Sequence, residues 1–60
     1  MGCLEQLMQF IKGPVWDGNL ISKTDRDHLE NHYLVQRVHG WNFLTGKGVE
    51  YLVVLKILKP

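Results

Sequence analysis

The eleven residues LVQRVHGWNFL, at positions 34–44, constrain the fold of this chain more than any other stretch. Two runs rich in valine and aromatic residues flank the pair His39-Gly40, which is the pattern of a β-hairpin with a two-residue turn. Glycine supplies the positive φ that such a turn needs, and histidine tolerates it better than a branched residue does. Strands of four to five residues are too short to be stable alone, so the hairpin must pack against helices.

The two-residue turn also sets the register of the predicted strands. Val38 is expected to face Trp41, and Gln36 is expected to face Phe43, on one side of the sheet. The alternate residues then share the opposite side: Val35, Arg37, Asn42 and Leu44.

The first helix is predicted over about residues 3–12. One apolar stripe at i, i+3, i+4 and i+7 supports it: Leu4, Leu7, Met8 and Ile11. The solvent side is expected to hold the polar residues: Glu5, Gln6, Gln9 and Lys12. Gly13 and Pro14 end this helix, because glycine accepts the left-handed cap and proline cannot continue the helix.

Residues 15–22, VWDGNLIS, link the first helix to the second. Asp17-Gly18 is a turn signal. Leu20 and Ile21 are expected to form a short strand or an extended lead-in. Trp16 is expected to cover the core.

The second helix is predicted over about residues 23–33, with its cap at Ser22 or Thr24. Leu29 and Tyr33 are expected to point inward. The opposite, solvated face is expected to carry polar residues: Thr24, Asp27, His28 and Asn31.

The third helix is predicted over about residues 46–58, capped by Thr45. Its inner stripe is expected to be Val49, Leu52, Val53 and Ile57. Further apolar residues lie on its other sides: Tyr51, Val54, Leu55 and Leu58. A chain this short cannot bury a helix that is apolar nearly all round, so we expect self-association or a partner surface.

The length of 60 residues allows one domain. Cys3 is the single cysteine, which excludes an internal disulfide and fits a reducing, cytoplasmic setting. The longest apolar run, residues 51–55, is far too short to span a membrane.

The formal net charge is +1, but it is unevenly distributed. Residues 1–30 carry five acidic and three basic side chains, and residues 31–60 carry one acidic and four basic. A strong nucleic-acid binder has a larger overall positive charge, so any such binding must come from a local patch.

The sequence HLENH, from His28 to His32, raises the possibility of a metal site, because residues four apart share a helix face. A zinc protease needs a glutamate directly after the first histidine, whereas Leu29 stands there and Glu30 points away. A structural zinc site needs four ligands. No metal site, cofactor or enzymatic activity is therefore predicted.

Half of the chain, about residues 20–50, carries a recognisable series of motifs. A capped helix is followed by LVQR, a His39-Gly40 turn, WNFLT and Gly48. This series resembles the winged helix-turn-helix superfamily, in the style of MarR-like regulators, and small phage or prophage proteins of the same layout. Tyr33 stands where that family has glycine. The resemblance implies a single α+β winged-helix domain over residues 1–60, built as helix, short extended segment, helix, two-stranded hairpin and C-terminal helix.

The resemblance implies a small transcriptional regulator that binds double-stranded DNA, with residues 23–32 in the major groove. Base and phosphate contacts from this helix are expected from Lys23, Thr24, His28 and Asn31. Backbone contacts from the wing and third helix are expected from Arg37, His39, Asn42 and Lys47. A homodimer formed through the terminal helices would double these contacts.

A protein-interaction module, such as an anti-repressor or an inhibitor of a host protein, is the alternative. Winged helices also serve this purpose. The near-neutral charge and the acidic residues on the second helix, Asp27 and Glu30, favour it. Arg26 is expected to pair with a neighbouring carboxylate or backbone carbonyl.

Overall fold

A computed structural model describes residues 2–59, which form three α-helices and a three-stranded antiparallel sheet. The helices are α1 (Gly2–Gln9), α2 (Lys23–Asn31) and α3 (Gly46–Val54). The strands are β1 (Val15–Trp16), β2 (Val35–Val38) and β3 (Trp41–Leu44). Two 3-10 turns lie at Phe10–Lys12 and Asp17–Asn19. The predicted α+β class is confirmed.

The hairpin has the predicted register, with Val38 opposite Trp41 and Gln36 opposite Phe43. His39 and Gly40 form the turn with φ values of 50° and 83°, the left-handed pair that a type I′ turn requires. The hairpin prediction is therefore confirmed in detail.

Strand β1 is the element that the sequence pattern missed. Val15 pairs with Asn42, and Trp16 pairs with Trp41, so the sheet has the order β1-β3-β2. Leu20 and Ile21 form no strand. Leu20 has extended backbone and leads from the second 3-10 turn towards the Ser22 cap of α2, which is the second of the two alternatives. A strand of two residues is too short to show alternation, so only pairing with β3 reveals it.

The core lies between the helices and the inner face of the sheet. Its buried apolar residues come from every helix and from the start of β2: Leu7, Phe10, Leu29, Leu34, Val35 and Leu52. Trp16 was expected to cover this core, but it is 45% exposed and packs edge-on against Trp41, with ring centroids 5.2 Å apart. Met8 and Val49, expected on inner stripes, are also exposed.

Gln6 was assigned to the solvent side of α1, and the structure corrects this. Its side chain is fully buried. The Gln6 Oε1 accepts the Ser22 N–H at 2.8 Å, and the Gln6 Nε2 donates to Gln9 Oε1 at 2.7 Å. Gln9 in turn receives the Ile21 N–H at 3.1 Å. These bonds satisfy buried polar groups and join α1 to the segment that starts α2.

Helix α2 ends at Asn31, two residues earlier than predicted, because Tyr33 adopts φ of 62°. The N–H of Leu34 donates to the Leu29 carbonyl, and the N–H of Tyr33 donates to the Glu30 carbonyl. This is the Schellman arrangement that ends many helices. It turns Leu34 into the core and leaves Tyr33 73% exposed, so the expected inward orientation of Tyr33 is wrong.

Helix α3 ends in the same way at Val54, four residues before the predicted end. Lys56 has φ of 62°. Its N–H donates to the Val53 carbonyl, while the N–H of Ile57 donates to the Leu52 carbonyl. Ile57 thereby packs against the core.

Lys56→Gly is expected to raise the free energy of unfolding by about 1 kcal/mol, because glycine adopts the left-handed conformation without the Cβ penalty. Lys56→Ala is the matched control, since it removes the same side chain and keeps the Cβ. Urea denaturation followed by far-UV circular dichroism measures both. Equal effects of glycine and alanine would contradict the backbone explanation.

Within residues 2–59, no helix has the length and apolar content needed to cross a membrane.

Candidate nucleic-acid interface

Helix α2 presents the first half of the predicted interface. Ser22 caps it, with Oγ accepting the Asp25 N–H at 3.2 Å. The four side chains predicted to contact DNA are all exposed: Lys23, Thr24, His28 and Asn31. Within residues 2–59, none of the four makes a side-chain hydrogen bond or an ion pair. They are therefore available to an external ligand.

The acidic residues of α2 are partly neutralised from within the helix. Arg26 contacts Asp27 at 2.9 Å and Glu30 at 3.4 Å. The Arg26 side chain is only 14% exposed, so it lies against the protein and does not project into solvent. One guanidinium shared by two carboxylates leaves this group with a net charge of about −1. The acidity that counted against DNA binding is thus reduced but still present.

His28 and His32 lie together on the helix surface. Their rings meet edge to face with centroids 4.7 Å apart. His32 is exposed, as His28 is. In the part of the chain that the structure describes, no group of three or more His, Cys, Asp or Glu residues is placed to hold a metal ion.

The hairpin contributes fewer free groups than predicted. His39 is exposed at the turn. Arg37 is held by Asp17, with Nε and Nη2 at 2.9 Å and 2.6 Å from Oδ2. Asn42 is fully buried; its Nδ2 donates to Asp17 Oδ1 at 2.7 Å and to the Val15 carbonyl at 3.1 Å. Burial removes Asn42 from the candidate set, and the ion pair engages Arg37.

The role of Asp17 was not visible in the sequence, where Asp17-Gly18 signals only a turn. The Asp17 carboxylate links β2 to β3, because it accepts hydrogen bonds from both Arg37 and Asn42. Hydrogen bonds from Arg37, and then from Asn42, lower the pKa of Asp17 from 3.8 to about 2. The same pairing raises the pKa of Arg37.

This shift predicts an acid-dependent loss of stability. The pKa of Asp17 is lower in the folded state than in the unfolded state, so its contribution is present above pH 3.8 and is lost as the pH falls through about 2. Asp17→Asn is expected to be less stable than the wild type at neutral pH, with the difference narrowing below pH 3.8. Thermal melts of both proteins across this range test it; a difference independent of pH would contradict it.

Lys47 and Tyr33 form a second exposed group beside α2. The Lys47 Nζ lies over the Tyr33 ring, 5.8 Å from its centroid, within the range of a cation–π contact. Lys47 lies in the first turn of α3, where the Thr45 cap accepts the Gly48 N–H. The α2 face and Lys47 are therefore positioned by two separately capped helices.

Comparison of the chain with protein-family models, with curated proteins and with solved structures found no match.

Proposed function

We propose that this chain is a small winged-helix regulator that binds double-stranded DNA in the cytoplasm. Helix α2 enters the major groove, and the His39-Gly40 turn is a short wing. The order helix, strand, helix, hairpin, helix is the one that the sequence resemblance implies. Strand β1 beside β3 extends the hairpin into a three-stranded sheet, and β2 of this sheet contacts α2.

The exposed face of α2 is the observation that carries this proposal. Thr24, His28 and Asn31 stand at i, i+4 and i+7, so they share one face of the helix. Their side chains offer donors and acceptors that suit base edges and phosphates. Lys23, at the start of the helix, suits a phosphate.

The number of free cations sets the expected strength of binding. Lys23 and Lys47 are exposed, and Arg37 becomes available only by sharing Asp17. A monomer with about three phosphate contacts binds weakly and with a clear salt dependence. A homodimer through the terminal helices doubles the contacts. This dimer is supported by the exposed apolar residues of α3 and of its C-cap, which are Tyr51, Val54 and Leu55. Analytical ultracentrifugation at increasing protein concentration measures the dimerisation.

Titration of the labelled protein with short random-sequence duplexes tests the proposal. Amide shifts are expected to cluster at residues 23–31 and 39–40 and to weaken between about 50 and 200 mM salt. Lys23→Gln is expected to weaken binding and to lower the salt slope by about 1. Lys12→Gln, an exposed lysine of the first 3-10 turn, is the matched control. Absence of shifts at low salt, or equal effects of the two variants, would reject the proposal.

A protein-interaction module, such as an anti-repressor or an inhibitor of a host protein, is the second candidate. The outer face of the sheet favours it. Trp16, Val38 and Trp41 are 45%, 40% and 48% exposed there. A shallow groove on this face is lined by Pro14, Val38, His39, Trp41 and Phe43. Exposed apolar clusters of this kind mark contact surfaces. In the DNA titration, this candidate predicts no shifts at residues 23–31.

A further inference from the structure

A half-open cavity of about 550 Å³ is lined by residues of α1, α2 and α3 and of the segments that follow α2 and α3. This volume falls within the range of small-molecule sites, roughly 300–1,000 Å³. Its apolar lining consists of residues from α1, from α2, from the position before β2 and from the C-cap of α3: Leu4, Leu7, Leu29, Leu34 and Leu55. Its polar lining consists of Cys3, His28, His32, Lys47 and Tyr51.

The apolar lining consists of leucines. Aliphatic walls provide dispersion contacts and exclude water without offering an aromatic face for stacking. The aromatic groups of the lining are the Tyr51 ring and the imidazole rings of His28 and His32, and all three belong to the polar lining. A flexible hydrocarbon chain fits such a surface better than a planar ring system does.

The polar lining favours a negative head group. His28 and His32 come from α2 and its C-terminal cap, and Lys47 comes from α3. Among residues 2–59, no carboxylate lines the cavity. The Asp25 carboxylate lies outside the lining, where it accepts a hydrogen bond from the Cys3 Sγ at 3.3 Å. Within residues 2–59, no carboxylate lies within 4 Å of the Lys47 ammonium, so this cation is free to pair with an anion.

Tyr33 does not line the cavity but contacts Lys47, a residue of the polar lining. It keeps a left-handed conformation that glycine would adopt without strain, and its ring is 73% exposed. The ring lies under the Lys47 ammonium. This cation–π contact leaves Lys47 within the polar lining of the cavity.

We propose that this cavity binds a linear acyl carboxylate, with the hydrocarbon chain along the leucines and the carboxylate beside Lys47 and the two histidines. The proposal does not depend on DNA binding.

Titration of the labelled protein with saturated carboxylates, from butyrate to decanoate and below their micelle concentrations, tests this proposal. Amide shifts are expected at Leu34, Lys47 and Leu55. Affinity is expected to rise by about fourfold for each methylene that becomes buried. Decanol, which has the chain without the charge, is expected to bind at least about fivefold more weakly than decanoate.

Lys47→Gln separates the contribution of the Lys47 charge from non-specific hydrophobic binding. This variant is expected to bind decanoate about fivefold or more weakly than the wild type does, while its affinity for decanol is unchanged. Lys12→Gln, outside the cavity lining, is expected to change neither. Lys47 is exposed, and an unchanged melting temperature checks that the variant is folded.

Three results would overturn the proposal. The first is decanoate affinity that does not depend on chain length. The second is equal weakening by the two lysine variants. The third is binding to phosphatidylglycerol vesicles while free decanoate causes no amide shifts, a result that would assign the leucine surface to membrane binding. The titrations contain no DNA, so their failure is separate from a failure of the DNA titration.

Discussion

Gly48→Ala is expected to lower the free energy of unfolding by at least about 3 kcal/mol, which would leave so small a domain largely unfolded. A Cβ built on Gly48 would lie 2.1 Å from the Leu34 carbonyl oxygen and 3.2 Å from Leu44 Cδ2. The obstacle is backbone, so a side-chain rotation cannot relieve it. The Leu34 carbonyl also accepts the Thr45 N–H at 3.1 Å, and any retreat would break that bond.

Gly46→Ala is the matched control for this prediction. The two glycines lie two residues apart in the first turn of α3, but nothing lies within 4 Å of a Cβ at Gly46. Alanine there is expected to leave stability unchanged or to raise it by up to about 1 kcal/mol. Urea denaturation of both variants measures the difference. A Gly48→Ala protein within about 1 kcal/mol of the wild type would show that α3 can move away from the loop before β2.

Asn42→Asp is expected to destabilise the fold by about 3 kcal/mol at neutral pH. The Asn42 side chain is fully buried, and its amide donates to the Asp17 carboxylate and to the Val15 carbonyl. A carboxylate in its place would lose both donated hydrogen bonds and would face two acceptors. The neighbouring Arg37 limits the loss, because it already lies against Asp17 and supplies a positive charge.

Gln36→Glu provides the control for Asn42→Asp. It makes the same change from amide to carboxylate on the adjacent strand, at an exposed position. Surface substitutions of this kind change stability by about 0.5 kcal/mol or less. Chemical denaturation at neutral pH compares the two variants. If they are equally stable, the hydrogen-bonded network of Asp17, Arg37 and Asn42 does not support the sheet.

Features that depend on neighbouring residues in the chain were predictable. The hairpin register followed from a two-residue turn that demands positive φ at His39 and Gly40. The Ser22 and Thr45 caps are both formed, because a hydroxyl placed three residues before an N–H reaches it within one turn. Each of these patterns is closed within a few residues, so distant contacts do not alter it.

The polar residues that became buried were not predictable. Gln6 and Asn42 have the composition of surface residues, and helical or strand periodicity says nothing of a partner far along the chain. Gln6 lies 16 residues from the Ser22 N–H that it accepts, and Asn42 lies 25 residues from Asp17. Such groups are buried only because folding supplies their partners.

In the candidate DNA surface too, some features were predictable from the local sequence and others depended on contacts between distant residues. The exposure of Lys23, Thr24, His28 and Asn31 followed from the spacing of Leu29 on α2 and from the caps at its start. The engagement of Arg37 by Asp17, and the pairing of Lys47 with Tyr33, join residues 20 and 14 positions apart in the chain. No local pattern reports these pairs.

Local sequence alone therefore settles the helix starts, the hairpin and the α+β class, because short-range hydrogen bonds and side-chain spacing specify them. Packing alone settles the third strand and the buried amides. It also creates the leucine-lined cavity, since residues from three helices line that space. The physical reason is range: each of these features requires contacts that form when distant segments are brought together.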